Sequence, residues 1–90
     1  MAQRSAVVAS KVGLHARPAK LFTQAVGASG LGVRIAKGDA PPVDAASILR
    51  VMALGVKNGE EVTLSAEGEG ADDVLAELVE LLETDLDAEA

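Results

Sequence analysis

The chain has 90 residues, which is enough for one domain with a single core and too few for two domains. It contains no cysteine and one histidine, which excludes disulfides, thiolate metal sites and metal sites built from several histidines. The net charge of −6 is unevenly divided along the chain, because all eight Lys and Arg residues lie at or before Lys57 and most acidic residues follow it. We therefore expect a dipolar molecule that attracts acidic partners to one face.

The chain carries no signal for a membrane or for export. No apolar run approaches the roughly 20 residues that a bilayer span needs, and residues 1–10 lack the apolar stretch of a signal peptide. The absence of cysteine fits a reducing compartment. We therefore expect a cytoplasmic protein with no membrane insertion.

The first part of the chain predicts a strand, a loop and a helix. Arg4 to Ala9 is small and β-branched enough for a strand, and Lys11 to Leu14 forms the loop after it. Pro18 fits a first helical turn, and the apolar residues after it recur at helical spacing. The predicted helix therefore runs from about Arg17 to Val26, and Gly27 with Ser29-Gly30 ends it.

The middle of the chain predicts two strands and a short helix. The alternation from Leu31 to Ile35 is typical of a half-buried strand. The prolines of the turn from Gly38 to Pro42 confine any strand around Val43 to a short edge piece. Ser47 can cap a second helix that ends near Gly55 and is too apolar to bury every side chain, so part of it should be exposed as an interaction site.

The last part predicts a strand and a final helix. The stretch from Glu61 to Glu67 alternates most clearly, and the helix opens at Asp72 or Asp73 with an apolar stripe. Residues 85–90 are expected to form a loose acidic tail of one domain spanning 1–90. The order is β-α-β-β-α-β-α, and the alternating strands place one face of the sheet on helices, which predicts a two-layer α+β domain.

The candidate site is the stretch Gly13-Leu14-His15-Ala16-Arg17-Pro18-Ala19, where a loop becomes a helix. The first amides of a helix lack partners within it and carry the positive end of its dipole, so an anion on His15 would face the amides of Ala16 and Arg17. The Arg17 guanidinium adds a fork of donors that matches phosphate geometry. A lone histidine can be a plain surface or packed residue, but such a residue needs neither Gly13 nor Arg17. A nucleophilic imidazole beside an anion cradle predicts phosphoryl chemistry, with no metal and no cofactor.

These seven residues, followed by Ser47-Ile48-Leu49-Arg50-Val51-Met52-Ala53-Leu54-Gly55, closely resemble the histidine-containing phosphocarrier (HPr) family of the bacterial phosphoenolpyruvate-dependent sugar phosphotransferase system. The resemblance covers essentially the whole chain. It implies an open-faced β-sandwich with a four-stranded antiparallel sheet packed on three helices. It also implies a monomeric carrier in which enzyme I phosphorylates His15, Arg17 contacts the phosphate and sugar-specific enzyme IIA domains collect the phosphoryl group.

The second motif carries two further hypotheses. In some members of the family a serine at the position of Ser47 is phosphorylated by an ATP-dependent kinase, whereas a serine that only caps the helix explains the residue equally well. The apolar excess of the second helix, interrupted by a positive charge, predicts a docking surface for acidic partners. The candidate docking residues are Ile48, Leu49, Arg50 and Met52, with Lys20 and Gln24 of the first helix.

Other classes of function fit less well. RNA-binding modules with similar element order stack bases on sheet aromatics, but this chain has no Tyr or Trp and its one Phe, Phe22, falls on a predicted buried stripe. Hydrolases are disfavoured because Ser29 and Ser47 lie far from His15 in sequence. Two alternatives remain open: a module that binds an anion at the same helix end without covalent chemistry, and a regulatory paralogue of the same family.

Overall fold

A computed structural model describes residues 2–10, 13–14 and 16–84, without the side chain of Ala16. Strands and helices follow in the order β-α-β-β-α-β-α, as predicted. Their bounds are β1 Ala2–Val7, α1 Ala16–Ser29, β2 Arg34–Lys37, β3 Val43–Asp44, α2 Ile48–Ala53, β4 Glu61–Ala66 and α3 Ala71–Leu82.

The four strands form one antiparallel sheet in the order β1-β4-β2-β3. The long strands β1 and β4 pair in register from Ala2 with Ala66 to Val7 with Glu61. Strand β3 has two residues and pairs only with β2, which confirms the short edge piece predicted after the prolines. The predicted fold class is confirmed as an open antiparallel sheet with three helices.

The core lies between the sheet and the helices. Val62, Leu64 and Ala66 of β4 are buried, whereas the residues between them keep partial exposure, as the alternation predicts. Phe22 of α1 is 0% exposed, so its predicted core role is confirmed. One continuous apolar cluster therefore fixes both long helices against the sheet.

Helix α1 extends past its predicted end. Gly27 is helical, and the chain leaves the helix at Gly30, which adopts the left-handed conformation with φ of 73°. The Ser29 hydroxyl donates to the Val26 carbonyl at 2.6 Å, and the Gly30 amide donates to the Gly27 carbonyl at 3.4 Å. The predicted last residue, Val26, was three residues too early, because a glycine in a helix lowers stability without ending it. Of the glycines predicted to end the helix, the left-handed Gly30 does so and Gly27 does not.

Two strand boundaries also differ from the prediction. Strand β1 begins at Ala2 rather than Arg4 and ends before Ala9, whose amide donates to the Leu82 carbonyl of α3 at 3.0 Å. Strand β2 begins at Arg34, after a tight bend in which the Val33 amide donates to the Leu31 carbonyl. Alternation of apolar residues predicts which side chains are buried. Buried residues also lie just outside the strands, where the chain no longer forms the hydrogen bonds of the sheet, so the predicted boundaries differ.

Helix α3 begins at Ala71, with Asp72 and Asp73 in its first turn. Asp72 accepts two hydrogen bonds from the Arg4 guanidinium at 3.1 and 3.0 Å, which ties the helix start to β1. The predicted acidic tail, residues 85–90, lies outside the described residues. Within the described part of the chain, every helix is too short or too polar to cross a membrane.

Candidate functional site

The predicted junction of loop and helix is confirmed, because α1 begins at Ala16. Pro18 and Ala19 of its first turn are buried, and Arg17 between them and the loop is exposed. The fixed φ of proline suits a first turn, where an amide hydrogen has no helical partner to lose. This turn therefore points its apolar residues inward and leaves the Arg17 guanidinium accessible to an anion.

His15 lies outside the described residues, as does the side chain of Ala16. The chain nevertheless joins His15 directly to two described neighbours, the buried Leu14 and the first residue of α1. The main-chain amides of Ala16 and Arg17 belong to the first turn of a 14-residue helix. They are therefore among the amides that a helix leaves without an internal partner.

The loop before His15 is anchored from the inside. We call residues 8–14 the presenting loop; residues 11 and 12 lie outside the described part of the chain. The Leu14 amide donates to the Val56 carbonyl at 3.0 Å, and the Leu14 side chain is 2% exposed. The Gly13 amide donates to the Ser10 carbonyl at 3.0 Å. These bonds hold Leu14, the residue that immediately precedes His15, in place.

Gly13 occupies a position that only glycine fits. Its φ is 73°, in the left-handed region, and a Cβ built on it would lie 2.1 Å from the Val56 carbonyl oxygen and 2.8 Å from the Lys57 Cα. A side chain would therefore be strained by the backbone and would also collide with the neighbouring chain. This explains physically why the motif begins with glycine two residues before His15.

The chain that receives the presenting loop is the turn between α2 and β4, residues 55–60, which we call the support loop. The Val8 amide donates to the Glu60 carbonyl at 3.0 Å, and the Gly59 amide donates to the Val8 carbonyl at 2.8 Å. The Asn58 side-chain amide donates to the Ala9 carbonyl at 2.9 Å. The sequence analysis missed the contact between these two loops, because a contact across about 50 residues leaves no local pattern.

Glu60 organises the support loop. Its Oε1 accepts from the Lys57 amide at 2.7 Å and lies 3.2 Å from Lys37 Nζ, which also donates to the Gly55 carbonyl at 3.0 Å. The hydrogen bond from the Lys57 amide, followed by that from Lys37, lowers the pKa of the Glu60 carboxyl. Lys37 therefore connects both ends of the support loop to β2.

Ser47 caps α2, as predicted. Its backbone is extended, with φ of −95° and ψ of 111°, and its hydroxyl accepts from the Arg50 amide at 3.4 Å. The Ser47 carbonyl accepts from the Val51 amide at 3.0 Å, which begins the helical hydrogen bonds. Replacing an N-cap serine by alanine costs about 0.5–2 kcal/mol, and the long, exposed bond here favours the lower end of that range.

The outer face of α2 leaves apolar surface in solvent, as predicted. Leu49 is 79% exposed and Ile48 37%, whereas Val51 is fully buried. Met52 is half-buried and packs against the core, so it serves the interior as well as the surface. Arg50 is exposed beside Leu49, and α2 contacts α1.

The exposed Lys20 and Gln24 lie three and seven residues after Arg17, on its side of α1.

Comparison with known proteins decides the family. Residues 2–84 match PTS-HPr, described as "PTS HPr component phosphorylation site". The chain belongs to the HPr family. This membership makes it a phosphocarrier of the phosphotransferase system.

Individual HPr relatives agree over most of their length. The chain is 48% identical to phosphocarrier protein HPr of Streptomyces coelicolor over 82 residues, covering 91% of this chain and 88% of that protein. It is 42% identical to HPr-like protein Crh of Bacillus subtilis over 78 residues, covering 87% of this chain and 91% of that protein. It is also similar in structure to HPr of Bacillus anthracis, with a TM-score of 0.84, 34% identity and 90% and 95% coverage.

In this HPr-family chain the structure groups the candidate residues as follows. Arg17, Lys20 and Gln24 are exposed on α1, and Ile48, Leu49 and Arg50 are exposed on the adjoining α2. Ser47 lies at the start of α2. Among the described residues, no group of His, Cys, Asp and Glu side chains is arranged to hold a metal ion.

Proposed function

We propose that His15 accepts a phosphoryl group from phosphorylated enzyme I, which obtains it from phosphoenolpyruvate, and passes it to sugar-specific enzyme IIA domains. The observation that carries this proposal is the position of the only histidine, joined to the first turn of a 14-residue helix that exposes Arg17. The match to a family described by its phosphorylation site supports the same assignment.

The chemistry follows from the charges around His15. An imidazole nitrogen attacks phosphorus only when its lone pair is free, and the positive helix end and Arg17 both oppose a second positive charge on the ring. Both effects favour the neutral, nucleophilic form of the imidazole. During transfer a nitrogen–phosphorus bond forms while the bond from phosphorus to the donor breaks, and the donor keeps the electron pair.

The positive helix end and Arg17 also stabilise the phosphorylated form of His15, but only by a few kcal/mol. The phosphoryl group brings negative charge to the helix end, where the dipole contributes about 0.3–2 kcal/mol and a charged hydrogen bond about 1.5–3 kcal/mol. A carrier must release the group again, so a much stronger cradle would trap it. An open site with one exposed arginine suits reversible transfer.

The exposed face formed by α1 and α2 is the proposed docking surface for enzyme I and enzyme IIA domains. Leu49 and Ile48 supply apolar contact area, while Arg50, Lys20 and Gln24 supply charge and polarity at its edges. Phosphorylation of Ser47 by a kinase would place negative charge on this surface and repel acidic partners. We propose that the carrier acts in the cytoplasm as a monomer, since each partner must reach His15 in turn.

The deciding experiment incubates the protein with phosphoenolpyruvate and enzyme I. The expected product carries one phosphoryl group that is stable in base and lost in acid, as a phosphoramidate should be. An unchanged mass together with reversible binding of inorganic phosphate would support the alternative, a non-covalent anion-binding module, and would overturn the proposed function.

A further inference from the structure

Asn58 links two loops that are far apart in sequence. Its side-chain amide nitrogen donates to the Ala9 carbonyl at 2.9 Å, across 49 residues. The Ala9 amide donates in turn to the Leu82 carbonyl of α3 at 3.0 Å. Both main-chain polar groups of Ala9 are thereby fixed, where the chain leaves the sheet and enters the presenting loop.

The second end of the presenting loop is fixed by the same support loop. Gly13 packs against the Val56 carbonyl, and the Leu14 amide donates to that carbonyl at 3.0 Å. The support loop therefore contacts the presenting loop at its start, through Asn58, and at its end, next to His15. The Ser10 carbonyl, next to Ala9, accepts from the Gly13 amide at 3.0 Å, so a displacement of Ala9 reaches Gly13 and Leu14 through this bond.

The support loop is itself held in place. Lys37 donates to the Gly55 carbonyl at 3.0 Å and approaches Glu60 Oε1 at 3.2 Å, so its ammonium group spans the loop from one end to the other. The Lys57 amide donates to the same Glu60 oxygen at 2.7 Å. Asn58 thus belongs to a loop that is itself held by hydrogen bonds, and its own bond to Ala9 connects the presenting loop to this fixed support.

We propose that Asn58 is a positioning residue for phosphoryl transfer at His15, acting through its hydrogen bond to the Ala9 carbonyl. This inference rests on the proposed function of His15. In-line transfer requires the attacking nitrogen to be held at a set distance and angle, and small misplacements are costly. Loss of the bond frees Ala9 and weakens the link from Ser10 to Gly13, so the chain before His15 is held less firmly and fewer encounters with a donor are productive.

The experiment measures kcat and KM of enzyme I with phosphoenolpyruvate, using the parent protein and four variants of it as acceptor. Asn58→Ala removes the donor, Asn58→Asp keeps the shape but cannot donate, and Asn58→Gln restores a donor on a longer side chain. Asp72→Ala is the matched control, because it removes an exposed side-chain pair that joins β1 to the start of α3, away from the two loops.

For Asn58→Ala and Asn58→Asp we expect kcat to fall about 2- to 10-fold, as loss of one hydrogen bond allows, with KM within about twofold of the parent. Asn58→Gln should recover part of the loss, and Asp72→Ala should keep the parent kcat. Amide hydrogen exchange at Leu14 should be faster in Asn58→Ala than in Asp72→Ala, because only the former loosens the presenting loop.

Three results would overturn the inference. If kcat with Asn58→Ala equals kcat with the parent protein, the bond does not position His15, although the proposed function would stand. A change in KM alone would make Asn58 a contact for enzyme I rather than a positioning residue. A parent protein that accepts no phosphoryl group would overturn the proposed function and this inference together.

Discussion

Two glycines with the same backbone conformation differ sharply in their surroundings. Gly13 and Gly30 both have φ of 73°, but a Cβ would collide with the support loop at Gly13 and would meet nothing within 4 Å at Gly30. Gly13 lies two residues before His15, and Gly30 lies just after the other end of α1. The pair separates the effect of backbone strain from the effect of close packing.

Alanine at each glycine is the first prediction. Gly30→Ala should lower the free energy of unfolding by about 1–2 kcal/mol, the cost of a left-handed residue with a Cβ. Gly13→Ala should cost about 1–3 kcal/mol more, because the support loop must also move. Urea unfolding monitored by circular dichroism measures both values. Equal losses in the two variants would contradict the close contact between Gly13 and Val56.

Arg17 provides the second prediction at this scale. Because its side chain is exposed, Arg17→Ala should stay folded, with a free energy of unfolding within about 0.5 kcal/mol of the parent. Phosphoryl transfer should slow about 10- to 150-fold, the equivalent of losing about 1.5–3 kcal/mol of charge-assisted hydrogen bonding. Arg34→Ala, also an exposed arginine but on β2, is the control. A parent rate in Arg17→Ala would show that Arg17 is an ordinary surface charge.

Among the elements, α2 combines a cap with the proposed docking surface. Its single fully buried residue, Val51, holds the helix on the core while Leu49 and Ile48 face solvent. A six-residue helix is too short to be stable alone, so the cap and this packing both matter. Charge changes on its outer face can therefore be made without changing the core.

Charge changes on α2 are the third prediction. Ser47→Asp, which keeps a capping oxygen, and Arg50→Glu should change the free energy of unfolding by less than about 0.5 kcal/mol. Both should weaken enzyme I binding at low salt, mainly through a slower association rate, and the loss should shrink as salt is raised. Arg34→Glu on β2 makes the same charge change away from α2. If Arg34→Glu weakens binding as much as Arg50→Glu, net charge rather than α2 determines docking.

The sequence predicted the order and type of every element, because those depend on local periodicity. Strand β4 and the cap at Ser47 are clear examples, since alternation and a capping serine act over a few residues. Boundaries were less accurate where tertiary contacts decide them. The end of β1 depends on a bond from Ala9 to α3, which no local pattern reveals.

The same limit applies to the candidate site. Gly13 and Arg17 could be selected from sequence because they lie within two residues of His15. Asn58 could not, because folding alone brings it to the Ala9 carbonyl. Lys37 could not be selected either, because only the fold places it beside Glu60. Sequence patterns therefore suggest which residues react, and the structure adds the contacts from which we propose how they are held.

At the scale of the molecule, stability depends on pH through Asp72 and Glu60, the carboxyls with a lowered pKa among the described residues. The hydrogen bond and charge of Arg4 lower the pKa of Asp72, and the Lys57 amide and Lys37 lower that of Glu60. A carboxyl with a lower pKa in the folded state adds stability above its unfolded pKa. That contribution is lost as pH falls through the folded pKa.

Acid unfolding is the fourth prediction. The free energy of unfolding should fall as pH drops below about 4, where carboxylates in the unfolded chain take up protons. Arg4→Ala should flatten this fall, because it removes the cause of the shift at Asp72. Lys37→Ala should flatten it less, because the Lys57 amide still bonds to Glu60. Urea titrations at several pH values would contradict this account if the three curves ran parallel.

The most direct test of the account follows the single histidine through one carrier cycle by NMR. Because the chain has one histidine, one set of imidazole signals reports on His15. Phosphoenolpyruvate and enzyme I should shift those signals and add one acid-labile phosphorus resonance, and an enzyme IIA domain should reverse both changes. His15→Ala should remain folded and gain no such resonance. A phosphoryl group on His15→Ala, or unchanged imidazole signals in a phosphorylated parent, would contradict the assignment of His15 as the carrier residue.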